Sequence, residues 1–220
     1  MARRHTVSVS PPPQGGEGLL GLPAIQANGI VIFAHGSGSS RFSPRNAMVA
    51  ESLQQAGLAT LLFDLLTDAE AAQRRNVFDI ALLADRLNLA ADWVALCAAG
   101  RSLPVGFFGS STGAAAALVT AASRQDVRAV VSCGGRPDLA TEALDKVNAP
   151  TLLIVGNADP ELLALNRHAQ RLMRCECRLE VVPDARHSFE ETGTLERVVE
   201  RARTWFWNHL VGAHVVQKSA

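Results

Sequence analysis

The residues with the most chemical potential are two adjacent serines between glycines, Gly109-Ser110-Ser111-Thr112-Gly113. They follow the apolar run Val105-Gly-Phe-Phe108 and precede Ala114-Ala-Ala-Ala-Leu118, an order that reads as buried strand, sharp turn and small-residue helix. A nucleophile at such a junction stands up from the backbone, and only glycine at both flanks lets the neighbouring chain pack so closely. The helix behind it offers unpaired N–H groups and the positive end of a dipole to a developing oxyanion. In the Gly-x-Ser-x-Gly register the nucleophile is Ser111, with Ser110 its neighbour.

A serine hydroxyl needs a base, and the order expected along the chain is serine, then acid, then histidine. Asp159 falls just past the apolar run Thr151-Leu-Leu-Ile-Val155, and His187 falls on the loop after the following run, Arg178-Leu-Glu-Val-Val182. In a parallel sheet these loops open on one edge together with the serine turn, so Ser111, Asp159 and His187 form a candidate triad. Asp184 and Asp138 compete for the acid role, and Asp159 would also serve as N-cap of a helix beginning near Pro160. His35, His168 and His209 compete for the base role; His35 precedes the nucleophile, while the other two fall within predicted helices. A second oxyanion donor is expected from His35-Gly36-Ser37-Gly38-Ser39-Ser40, with the amides of Ser37 and Thr112 as the candidate pair and Gly38 as the alternative to Ser37. His35 and Gly36 are expected against substrate. Phosphate cradling by this Gly/Ser loop is disfavoured, because no lysine occupies the P-loop position.

Apolar runs at 30–34, 58–63, 105–108, 127–133 and 151–155 alternate with helical stretches at about 44–56, 79–99, 112–124, 138–146, 161–174 and 194–211. Uniformly apolar strands point to a mostly parallel sheet covered by helices on both faces, an α/β fold. The run 178–182 alternates partly and belongs nearer an edge. Asp79 is the expected N-cap of the second helix, and Trp205, Phe206 and Trp207 are expected to anchor the last one to the core. Residues 1–27 read as irregular or edge strands, 212–220 as a flexible tail, and 1–220 as a single domain. Only 17 residues separate Cys133 from Thr151, too few for a large lid, so the pocket should be shallow and open, although 65–78 could fold over it.

The 220 residues carry 21 Lys+Arg against 21 Asp+Glu, and a zero net charge argues against nucleic acid as a partner. With 48% hydrophobic and 19% charged residues the chain is expected to fold around a true core. No apolar run reaches the ~18 residues of a membrane span, and no signal h-region follows the basic start, so a cytoplasmic protein is expected. The four cysteines are expected as reduced thiols, and no cofactor or metal is expected. Arg41, Arg45, Arg74, Arg75 and Arg136 all fall after predicted strands. Arg41 and Arg136 are the candidates for binding a carboxylate or phosphate on a small ester substrate; the bland alternative pairs these arginines with Asp64, Asp68, Glu70 and Asp79. The sequence leaves the oligomeric state open.

The motifs Ile-Phe-Ala-His-Gly-Ser-Gly-Ser-Ser (32–40), Phe-Gly-Ser-Ser-Thr-Gly-Ala-Ala-Ala-Ala-Leu (108–118), Leu-Ile-Val-Gly-Asn-Ala-Asp (153–159) and Ala-Arg-His-Ser-Phe-Glu (185–190) resemble those of the α/β-hydrolase superfamily. Within it the chain resembles the small dienelactone-hydrolase-like proteins over about residues 28–211. Members of that subgroup also occur fused to phosphoribosyltransferase domains, and no such domain is read in this sequence. The resemblance implies that Ser111 attacks an ester, thioester or lactone carbonyl, that His187 relays protons and that Asp159 orients the imidazole. True dienelactone hydrolases place cysteine where this chain has Ser111. An acyltransferase using the same triad, or a binding module without turnover, are the competing functions.

Overall fold

The computed structural model describes residues 5–12, 17–36, 38–97, 99–100 and 102–212. Ser37 and the expected flexible end from 213 onward therefore lie outside the described residues. Eight strands form one sheet: β1 (His5–Val9), β2 (Gly18–Leu22), β3 (Ile30–Ala34), β4 (Ala59–Phe63), β5 (Val105–Ser110), β6 (Val127–Cys133), β7 (Thr151–Gly156) and β8 (Cys177–Val182). Their spatial order is β1-β2-β4-β3-β5-β6-β7-β8. β1 and β2 form the antiparallel edge hairpin, and every pair from β4 to β8 is parallel. β8 closes the opposite edge, as its partial alternation implied.

Seven α-helices are described: α1 (Pro44–Gln55), α2 (Asp68–Ala71), α3 (Arg74–Val77), α4 (Ile80–Leu96), α5 (Thr112–Ser123), α6 (Pro160–Leu172) and α7 (Thr194–Phe206). A 3₁₀ segment, Pro137–Lys146, links β6 to β7. Local chemistry sets the helix starts. The Ser43 side chain accepts from the Asn46 amide ahead of Pro44, and Asp79 accepts from Leu82, as expected for that N-cap. The helix expected over 194–211 instead ends at Phe206 and continues as a π-type turn, Trp207–Gly212. Three consecutive side chains cannot all face the sheet from one helix. Trp205 and Phe206 are buried, and Trp207, expected with them, is 43% exposed.

The core lies in two layers. On one face α1 and α7 cover Val31, Phe33, Phe108, Val131 and Ile154; on the other, α4, α5 and the 3₁₀ segment cover Ile32, Leu61, Phe107, Val130 and Leu153. Burial on both faces is why these strands carry almost no polar residue. Helix α5 presses closest: Ala114 through Leu118 have no exposed surface. A Cβ on Gly113 would lie 2.1 Å from the Ala34 carbonyl oxygen, and one on Gly109 would lie 2.5 Å from the Ala114 Cα. The flanking glycines are thus demanded by backbone approach.

Candidate active site

The parallel registers align the carboxyl ends of the strands. Ala34 pairs with Gly109, Ser110 with Cys133, and Gly156 with Val182, so the loops after β3, β5, β6, β7 and β8 open on one edge. The chain crosses to the left after β3 and starts the right half of the sheet at β5, making the gap between their loops the switch point where open α/β sheets hold ligands.

Ser111 stands at that point with φ +50° and ψ −121°, a conformation costly for any residue with a Cβ, of order 1–3 kcal/mol. It occupies the N-cap position of α5, yet its side chain makes no capping hydrogen bond. Among the described residues the hydroxyl has no hydrogen-bond partner, and the first amide of α5, Thr112, has no intrahelical acceptor. Ser110 lies in β5, and its Oγ accepts a 3.2 Å hydrogen bond from the Gly36 amide. The two serines therefore differ: one is turned out at the elbow, the other ties β5 to the loop after β3. A Cβ on Gly36 would come 2.7 Å from that of Ser111, so this loop also needs glycine to reach the elbow.

Ser111 and His187 both line two cavities. The first, about 280 Å³, lies toward α1 and α7 and is bounded by Val49, Phe108, Phe189, Leu195 and Val198, with Gly36, Ser110, Cys133 and Arg45 at its polar side. The second, about 240 Å³, lies toward α6 and is bounded by Arg136, Asp159, Glu161, Leu162 and Leu165. The predicted serine, acid and histidine thus share this second wall, although no hydrogen bond joins their side chains among the described residues. Such bonds often tighten only around substrate. Asp159 caps α6 through Oδ1, which accepts from the Leu162 amide at 3.0 Å, and Oδ2 has no partner among the described residues. Asp138 is held by Arg136 at 2.8 and 2.7 Å, and neither it nor the exposed Asp184 lines these cavities.

The remaining predicted residues divide. Gly36 and Arg136 line the cavities beside Ser111. His35 does not: its ring nitrogens lie 3.0 Å from the Gly36 carbonyl and 3.4 Å from both the Leu65 amide and the Asp64 carboxylate. It pins the loop instead of facing the serine, and it lines a separate 120 Å³ recess with Gly38, Thr112 and residues of α2 and α3. The 65–78 segment, as two short helices, borders this recess and neither of the cavities holding Ser111. Arg41 is also directed elsewhere, paired with Asp64 and Glu17 and lining a groove beside β2. Burial alone would raise the Asp64 carboxyl, but its hydrogen bonds from His35 and Arg41 outweigh it and hold the group below its ordinary value. His168 and His209 lie on α6 and the π-type turn and line neither cavity. Arg45 reaches the histidine loop, where its Nη1 donates to the Ser188 carbonyl at 2.8 Å.

Cys133 lines the cavity beside Ser111, but burial pushes its thiol up to about 12. Iodoacetamide at about pH 8 is expected to leave Cys133 unmodified, read by peptide mapping, because the thiolate is the reactive species.

A family model described as alpha/beta hydrolase domain matches residues 27–205. The chain belongs to the alpha/beta hydrolase family. This alpha/beta hydrolase is 52% identical to a dienelactone hydrolase of Anabaena variabilis, whose crystal structure it matches with a TM-score of 0.89 over 94% of this chain and 98% of that one. Est1E from Butyrivibrio proteoclasticus, at 15% identity, shares the fold with a TM-score of 0.79 over 92% of this chain and 98% of its own, and a second structure of Est1E holds ferulic acid. A curated protein of Mycobacterium tuberculosis, provisionally named a phosphoribosyl transferase, is 56% identical over 211 residues, which are 96% of this chain and 47% of that protein. The hydrolase thus spans about half the length of the curated relatives it matches. No described helix is long and apolar enough to cross a membrane.

Proposed function

We propose that this protein is a serine hydrolase of the dienelactone-hydrolase-like kind, cleaving small esters, thioesters or lactones through an acyl-enzyme on Ser111. The observation that carries this reading is the strained, uncapped Ser111 hydroxyl on the same cavity wall as His187 and Asp159. His187 takes the Ser111 proton as Oγ attacks the carbonyl, then gives it to the departing alcohol or thiol. In the second half-reaction the same imidazole activates water. Asp159, fixed through Oδ1 by its cap on α6, presents Oδ2 to the imidazole. The Thr112 amide and the loop carrying Ser37 receive the oxyanion.

The two cavities divide the substrate. The pocket walled by Phe108, Phe189, Leu195 and Val198 takes a short apolar group. The more polar side beside Arg136 and Glu161 takes a polar or anionic one, met by the Arg136 Nη1 that Asp138 does not engage. Leu195→Phe is expected to lower activity on butyrate esters about 10-fold relative to acetates, checked by kcat/KM on the two p-nitrophenyl esters. The transferase name of the curated relatives belongs, in this reading, to the half of their length that this chain does not match. A fluorophosphonate probe tests the proposal: labelling of the wild type is expected, and a wild type that takes no label overturns it.

A further inference from the structure

We propose that Arg45 is a positioning residue for His187, clamping the histidine loop to α1. This rests on His187 being the base. The His187 side chain is exposed and makes no hydrogen bond among the described residues, so the position of the imidazole depends heavily on the backbone that carries it. Upstream, that backbone is held by the loop that carries Asp159: the Ala158 amide donates to the Ala185 carbonyl at 3.0 Å, and Asn157 Oδ1 accepts from the Asp184 amide at 2.7 Å. Downstream, the Thr194 hydroxyl of α7 holds the far end of the loop by donating to the Glu191 carbonyl at 2.6 Å, and among the described residues Arg45 supplies the one side-chain donor from another element to the three residues that follow His187. Its Nη1 donates to the Ser188 carbonyl at 2.8 Å and also faces Glu190 at 3.3 Å.

Two features of the downstream half favour such a hold. Phe189, adjacent to Ser188, is buried with φ +52°, a left-handed conformation that an unsupported loop would relax out of. A Cβ on Gly134 would lie 2.8 Å from the His187 carbonyl oxygen, so the backbone rests on β6's loop with no side chain to grip it. The bond to Ser188 is charge-assisted and spans α1 to the base, whereas the exposed pair with Glu190 contributes little. A base displaced by about 1 Å loses on the order of 100-fold in rate. A clamp acts on both half-reactions, because His187 serves both; a substrate anchor would act on binding.

The test compares wild type, Arg45→Met and Arg45→Lys in the rate of fluorophosphonate labelling and in p-nitrophenyl acetate hydrolysis. Arg45→Met is expected to lower both the labelling rate and kcat by about 10- to 100-fold with KM within about threefold. Arg45→Lys, whose ammonium still donates to the Ser188 carbonyl, is expected within about fivefold of wild type. Thermal melts accompany both; should Arg45→Met not fold, the neutral and shorter Arg45→Gln takes its place. Unchanged labelling and kcat, a defect confined to KM on carboxylate-bearing esters, or a Lys variant no better than Met would each overturn the clamp. A wild type that does not label removes the hydrolase reading itself, while a labelled wild type matched by Arg45→Met removes the clamp alone.

Discussion

Ser111→Ala is expected to abolish fluorophosphonate labelling and to lower kcat on p-nitrophenyl acetate by about 10⁴- to 10⁶-fold, while Ser110→Ala still takes the label. The expectation rests on the difference between the two hydroxyls. Ser110 Oγ is engaged by the Gly36 amide, and Ser111 carries the elbow conformation with no side-chain hydrogen bond among the described residues. Alanine keeps the Cβ, so the fold should survive and the melting temperature should stay near that of wild type. The loss is then chemical. Labelling that persists in Ser111→Ala and disappears in Ser110→Ala would move the nucleophile by one residue and discard the assignment.

A large effect on stability is expected at Gly113. Gly113→Ala puts a methyl group 2.1 Å from the Ala34 carbonyl oxygen and 2.5 Å from that of His35, both backbone atoms that no rotamer change can withdraw. Either α5 moves off the sheet, opening the layer of buried alanines behind it, or β3 bends. Overpacking costs typically 1–3 kcal/mol and occasionally more, and the rigid contact puts this site at about 3–5 kcal/mol, a large share of the roughly 5–15 kcal/mol that holds a domain together. Gly193 separates space from conformation: its φ is +79°, but a Cβ there meets nothing within 4 Å. Gly193→Ala should cost only about 1–2 kcal/mol. Urea midpoints for the two variants check this, and equal midpoints would show that close approach at Gly113 is not what demands glycine.

Much of this was legible from residue order. The elbow could be read because it needs strand, glycine, serine, glycine and helix in sequence, a local requirement. The proposed acid and histidine were candidates because each follows an apolar strand, and parallel pairing delivers such loops to one edge. Sequence alone did not separate Asp159 from Asp184 or Asp138 as the proposed acid; the structure adds that Asp159 lines the cavity beside Ser111 while Asp138 is tied to Arg136. The arginines were hardest. All five follow strands, yet Arg41 is drawn away by Asp64 and Glu17, partners that approach only once the sheet forms. Arg45 meets a carbonyl far along the chain, and a backbone acceptor has no sequence signature. His35 carried a misleading signal: its place beside the glycine loop implied substrate, but the ring is turned toward Asp64 and Leu65. The pocket walls from Val49, Leu195 and Val198 are ordinary core residues of amphipathic helices, marked only by the gap that α1 and α7 leave between them.

The strand order also governs how the molecule is made. β3, made early in the chain, sits in the middle of the sheet, while β8, made last of the strands, closes an edge and carries His187 on the loop at its exit. No contiguous segment contains both Ser111 and His187 without also containing β6, β7 and β8, and each parallel pairing requires a crossover before it is rewarded. During synthesis the segment that forms the elbow is therefore made before His187. Under the proposed function, the serine would gain its base only once β8, the last strand, has docked, so a reactive site would report completion of the sheet.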